Sequence, residues 1–282
     1  MSVITFVNNK NEETGKTMSL VAIATHMAIE YNTKILIIST TNREGKLKSC
    51  YFEDEKARKT RFGLFTNSDI GMTSESGIEG IVRMTRSNKL TPEMVTNYTK
   101  VVFKDRLEVL LGTNTQNVID KKELQQEYLE LISVANMYYD RVFVDLDNNI
   151  DEEIREQIMD RSDLVIVNSS QNYNSLKELK ENKEKNNLLK SAKYLVLIGR
   201  YDKYSKYNSK NITRFLEEKN QVLTVPYNTL FFEATNEAKV PDFFLSLKRT
   251  IDADDRNAIF IQEVKRASDN IVYRLQELQI RM

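Results

Sequence analysis

Gly15-Lys16-Thr17 follows a short apolar run, VITFVN (3–8), and opens a helix-like stretch over 17–31. In that context the tripeptide has phosphate chemistry. Amide N–H groups at a helix N-terminus face an anion, the Lys16 ammonium neutralises β- and γ-phosphate oxygens, and the Thr17 hydroxyl binds Mg²⁺. Thr14 and Met18 flank it, and Lys10 and Asn11 precede it, as further residues of a nucleotide cradle. A second candidate lies far along the chain, where Asp145 ends the run RVFVDL (141–146). A carboxylate there holds the water shell of a metal or orients an attacking water. The same aspartate also reads as a strand end that caps a helix beginning near Asp151, and both readings stay open. Lys16 and Asp145 are thus the catalytic candidates, and Thr17 and Asp145 the metal candidates.

Other loop residues oppose this chemistry. The phosphate-loop pattern G-x-x-x-x-G-K-[ST] asks for glycine where the chain has Lys10, and Glu12 and Glu13 add negative charge. A glutamate about 6 Å from a phosphate charge costs roughly 3 kcal/mol at an effective dielectric near 20. Fewer glycines also restrict the positive-φ conformations that let amides converge on an anion. Weak nucleotide binding and slow hydrolysis are expected.

These residues need a frame. The runs 3–8, 34–40, 107–112, 141–146, 164–169, 194–199 and 221–226 read as strands. They are continuous rather than alternating, as strands covered on both faces are. Helical patterns occupy 17–31, 121–138, 151–161, 173–189 and 209–219. The alternation predicts a doubly wound α/β fold, a mainly parallel sheet with helices on both faces. The span 42–105 breaks the rhythm and reads as a helical insertion and loop region over the strand ends. Within it, Ser76 is placed to cap a helix near Gly77, and 90–99 reads as a short helix with Pro92 in its first turn. With three prolines and no Gly/Ser-rich linker, 1–282 is expected to be one domain. Over 257–282, Phe260, Val264, Ala267, Ile271, Leu275 and Leu278 recur at helical intervals. Such a helix docks on its own domain, or on a membrane or partner.

Composition narrows the function classes. The 41 basic and 41 acidic residues cancel, which confines any nucleic-acid contact to a local patch. GRYDKYSKYNSKN (199–211) is such a patch, with Arg200, Lys203, Lys206, Lys210 and three tyrosines; it reads equally as an exposed loop without a ligand. One cysteine, Cys50, allows no internal disulfide, and with the single His26 it makes a poor zinc site or nucleophilic pair. His26 reads as a packing or surface residue. No apolar run approaches the ~20 residues of a membrane span, and the N-terminus lacks signal-peptide features, so a cytoplasmic protein is expected.

The order of these blocks resembles the ParA/MinD family of deviant phosphate-loop ATPases, which includes the pilus-positioning proteins TadZ and CpaE. ITFVNNKNEETGKT is similar to the family's first strand and K-G-G-x-G-K-[ST] loop, and LEVLLGTN to a later strand and its glycine turn. YYDRVFVDLDNN and SDLVIVNSSQNYNSLKELK resemble the family's y-D-y-v-i-i-D strand and the next strand-to-helix unit. YLVLIGRYDK and VLTVPYNTLFFEATNEAKVP resemble the last strands and the loops near the nucleotide base. The resemblance implies ATP with Mg²⁺, a homodimer with nucleotide between subunits, and a protein partner in positioning a plasmid, pilus or secretion machine. It also exposes departures. Asn11 stands at the family's signature lysine, with Lys10 one residue out of register, and Glu12 and Glu13 stand at two glycines. Ser39, Thr40 and Thr41 offer no aspartate after the second strand. A pseudo-ATPase scaffold that dimerises without turnover is therefore the alternative.

Overall fold

The computed structural model describes residues 1–9, 13–41, 45–53, 77–87, 89–112, 118–186, 189, 191, 193–248 and 255–280. The strands are β1 (Ser2–Asn8), β2 (Ile35–Ser39), β3 (Lys100–Phe103), β4 (Leu107–Leu110), β5 (Arg141–Asp145), β6 (Leu164–Ser169), β7 (Tyr194–Tyr201) and β8 (Leu223–Pro226). They form one sheet in the order β3-β4-β2-β5-β1-β6-β7-β8, parallel except for β3. Every residue of β2, β4 and β6 is buried, as is all of β1 before Asn8. Both faces are covered, which explains the unbroken apolar runs.

One face carries α1 (Lys16–Glu30), α8 (Thr229–Asn236), α9 (Val240–Leu247) and α10 (Arg256–Ile280), around Phe231, Phe243, Phe244 and Phe260. The other carries α3 (Ile78–Arg86), α4 (Val118–Asn136), α5 (Glu152–Arg161), α6 (Tyr173–Lys185) and α7 (Ser209–Leu216). A short α2 (Gly45–Tyr51) packs beside α1 and α8. Among the described residues five helices start at a side-chain cap that supplies an otherwise orphaned amide with an acceptor; at α10 it is Asp255, which accepts from Asn257 N (2.7 Å) and Ala258 N (3.0 Å). Asp151 accepts from Glu153 N (3.1 Å), Asn172 from Ser175 N (2.8 Å), Asn208 from Asn211 N (3.0 Å) and Asn228 from Phe231 N (2.8 Å). All six stripe residues of α10 are buried, and the helix packs against α1 and β8. Among the described residues, no helix is long and apolar enough to cross a membrane.

Two segments differ from expectation. The span 42–105 contains the strand β3, which pairs antiparallel with β4 at the sheet edge, and Pro92 caps a 3-10 helix (Glu93–Tyr98). Gly77, at φ 83°, stands at the N-cap of α3, while Ser76 lies outside the described residues. Within 222–241, where strand and loops were expected, Thr229–Asn236 is a helix and Val240 starts another that runs to Leu247, because Asn228 caps α8 and their phenylalanines converge on Phe260.

Topology places the site. The chain leaves β1 through α1 for β2 on one side, and leaves neighbouring β5 through α5 for β6 on the other. Adjacent strands whose outgoing loops diverge leave a crevice at their carboxyl ends. Both the β1–α1 loop and Asp145 open into that crevice, with Asp145 paired in register to Phe6 and to Ser39.

Candidate phosphate site

Gly15 sits at the N-cap of α1 with φ 81° and ψ 17°, a left-handed conformation that glycine adopts without steric cost. Gly15 has no side chain to cap this helix end, so the N-cap residue leaves the first amides of α1 without a side-chain acceptor. Thr14 turns inward and donates from Oγ1 to Asn8 Oδ1 at 2.6 Å, tying the loop to the end of β1. Gly199 on β7 allows the loop to lie this close, since a Cβ there would stand 2.3 Å from the Thr14 carbonyl oxygen.

Lys16, Thr17 and Asp145 converge. Lys16 Nζ is 2.9 Å from Asp145 Oδ1 and also donates to the Leu146 carbonyl; Thr17 Oγ1 donates to Asp145 Oδ2 at 2.8 Å. The lysine and aspartate side chains are only 8% and 1% exposed, so each charge depends on the other. Asp145 therefore serves the loop, and the cap of α5 is Asp151. Thr40 braces this strand end: it donates from N to Asp145 O at 3.2 Å, and its Oγ1 accepts from Asp147 N at 2.8 Å. Met18 is half-buried and packs on the core beneath the first turn of α1. Lys10, Asn11 and Glu12 lie outside the described residues.

A hydroxyl and a carboxylate are hard oxygen donors that suit Mg²⁺. Among the described residues no group of three or more His, Cys, Asp or Glu side chains gathers to hold a metal. A magnesium ion at Thr17 and Asp145 therefore calls for further oxygens from phosphate and water, its usual mode of binding.

Glu13 behaves differently from the repulsive charge expected from sequence. It is 74% exposed, with Oε1 3.3 Å from Lys46 Nζ and Oε2 3.5 Å from an Arg200 guanidinium nitrogen. Lys46 and, less strongly, Arg200 hold its carboxyl below the usual carboxylate range. Neither partner was singled out for the loop from sequence. Arg200 drew notice only as one cation of the 199–211 patch. In that patch Gln171 fixes the backbone, donating to Asp202 O (2.8 Å) and Tyr207 O (2.9 Å), while Lys203 and Lys206 lie over the rings of Tyr204 and Tyr207. His26 is a packing residue, edge-on to Tyr31 and Phe244, and burial lowers its pKa. Burial pushes the Cys50 thiol up to about 12, which leaves it unreactive at neutral pH.

No protein-family model matches the chain, and no curated protein matches it. Solved structures do. A ParA family ATPase from Chlorobium tepidum TLS superimposes with a TM-score of 0.66 at 15% identity, covering 94% of this chain and 98% of its own. The septum site-determining protein MinD of Pyrococcus horikoshii OT3, complexed with Mg-ADP, gives 0.62 at 14% identity over 96% and 97%. A Borrelia burgdorferi B31 protein assigned to plasmid partition and bound to AMPPNP gives 0.61 at 15% identity over 97% and 99%. Identity this low speaks to architecture alone. The chain has the ParA/MinD-like phosphate-loop NTPase fold.

Proposed function

We propose that this protein binds an adenine nucleotide with Mg²⁺ at the β1–α1 loop and acts as a ParA/MinD-like positioning protein with weak or slow ATPase activity. One observation carries the reading: Lys16 Nζ and Thr17 Oγ1 meet the two oxygens of a single buried carboxylate, Asp145, in the crevice of the sheet. In the bound state Lys16 turns to the β- and γ-phosphates, Thr17 ligates the metal, and Asp145 orders its water shell. Thr14, Gly15 and Met18 shape the cradle through their backbone, with Lys10 and Asn11 ahead of them. The nucleotides in the two similar structures support this assignment. The protein is proposed to work in the cytoplasm as a homodimer that meets through the loop face. Through a protein partner it would position a plasmid, pilus or secretion machine.

A non-hydrolysing scaffold is the second reading. It is favoured by the end of β2, where Ser39 and Thr41 bond each other at 2.9 Å and Thr40 braces the backbone, so β2 brings no carboxylate to the crevice. Calorimetric titration with ATP and ADP, with and without Mg²⁺, followed by phosphate-release assays, separates the two. Binding and release that both vanish in Lys16→Ala support the enzyme, and binding without release supports the scaffold. No binding at millimolar nucleotide rejects the enzyme and leaves the scaffold, with the loop a structural relic. Light scattering that finds a monomer with and without nucleotide rejects the dimer.

A further inference from the structure

The Glu13 carboxylate spans two cations from distant elements, one oxygen to each: Lys46 on α2 and Arg200 on β7. Among the described residues, no other carboxylate lies within ion-pair distance of either cation. Arg200 runs along the phosphate loop itself, its Cγ and Nε 3.4 and 3.7 Å from where a Cβ on Gly15 would stand. It does so from φ 51°, a left-handed backbone that a non-glycine residue holds only when its surroundings impose it. Lys16, paired with Asp145 in this structure, brings one ammonium to the phosphates. A triphosphate brings more negative charge than that one ammonium balances, and two more cations stand at the mouth of the loop.

We infer that Glu13 is a built-in competitor for polyphosphate: its carboxylate engages the two cations, Lys46 and Arg200, that take the phosphate oxygens when a nucleotide binds. This inference rests on the nucleotide reading above and extends it. The exchange suits the exposure of the three groups, with side chains 74%, 60% and 43% accessible for Glu13, Lys46 and Arg200. Pairs so exposed are weak and screened by salt, so a dianionic phosphate displaces a single carboxylate readily. Glu13 thereby sets the affinity of the loop instead of abolishing it, and the gain from removing it depends on Arg200.

The test is titration of the full chain with ATP and Mg²⁺ at low and high salt. Glu13→Gln keeps the shape and removes the competing charge. It should bind ATP about 3- to 10-fold more tightly at low salt, from two exposed ion pairs, with a smaller gain at high salt. Arg200→Asn in that background should cancel most of the gain, and asparagine tolerates the left-handed backbone there. Unchanged melting temperatures exclude misfolding as the cause. Wild type that binds while Lys16→Ala does not, together with a Glu13→Gln variant no tighter than wild type, overturns the competitor and leaves the nucleotide reading standing. Retention of the full gain in Glu13→Gln/Arg200→Asn also overturns it. If neither wild type nor any variant binds ATP or ADP, the nucleotide reading falls and this inference falls with it.

Discussion

Replacing Lys16 with methionine keeps the side-chain length and removes the charge. Asp145, 1% exposed, would retain the Thr17 hydroxyl at 2.8 Å and lose the ammonium at 2.9 Å. Removing one partner of a buried pair costs about 3–5 kcal/mol, because the remaining charge is left uncompensated. Unfolding entropy near 2.1 cal/mol/K per residue gives roughly 0.6 kcal/mol/K for a chain of this length, so the loss appears as about 5–8 °C in melting temperature. Adding Asp145→Asn removes the stranded charge and should recover at least half of that drop. Differential scanning calorimetry of the three proteins completes the comparison, and a second series with Mg²⁺ and ATP tests function. At ligand one hundred times its Kd, wild type should gain about 2.7 kcal/mol, or roughly 4–5 °C, while both variants gain nothing. A Lys16→Met protein that melts within about 1 °C of wild type would refute the reasoning. So would a double variant less stable than the single one, since either result means that the pair is solvated and Asp145 is not committed to the loop.

Gly199→Ala places a methyl 2.3 Å from the Thr14 carbonyl; it should cost about 1–3 kcal/mol in urea unfolding and weaken ATP binding by displacing the loop. Burial holds His26 below its ordinary value of 6.5, partly offset by Glu30 and Asp269, so the folded chain binds fewer protons than the unfolded one. Stability from this site is therefore complete above pH 6.5 and falls as the pH drops below it; His26→Phe should flatten that slope between pH 6.5 and 5, and NMR can follow the chain's only imidazole directly. Phe260→Ala empties the centre of the cluster with Phe231, 4.8 Å away, and should destabilise by about 3–5 kcal/mol in chemical unfolding.

The sheet was legible because strands buried on both faces cannot alternate, and the neighbours Ile37 and Ile38, and Phe143 and Val144, which face opposite sides and are all buried, announce that directly. β3 was not, since KVVF is four residues long, half-covered and without a flanking periodic pattern. The helices over 229–247 were also hidden: eight-residue segments rich in phenylalanine carry little helical signal, and tertiary contact with Phe260 decides them. At the site, Gly15, Lys16 and Thr17 follow from spacing, and Asp145 from its place at a strand end. Its competing reading as a cap was settled only by Asp151, which caps α5. The engagement of Glu13 with Lys46 and Arg200 could not be read at all, because it joins residues remote in sequence and depends on the order of strands in the sheet.

The two margins of the sheet restrict how copies of this protein can meet. β3 is four residues long, shifts register between Val101 and Phe103, and is bracketed by Lys100 and Lys104. At the opposite margin β8 is equally short, ends in Pro226, which has no amide hydrogen to offer, and is bonded through Thr224 to Glu263 of α10. Short, irregular, lysine-flanked or proline-ended margins are poor templates for adding a strand from another chain. Self-association is thereby steered away from sheet extension and towards surfaces built of side chains and loops. Separating two copies joined there would require no shared backbone ladder to be broken.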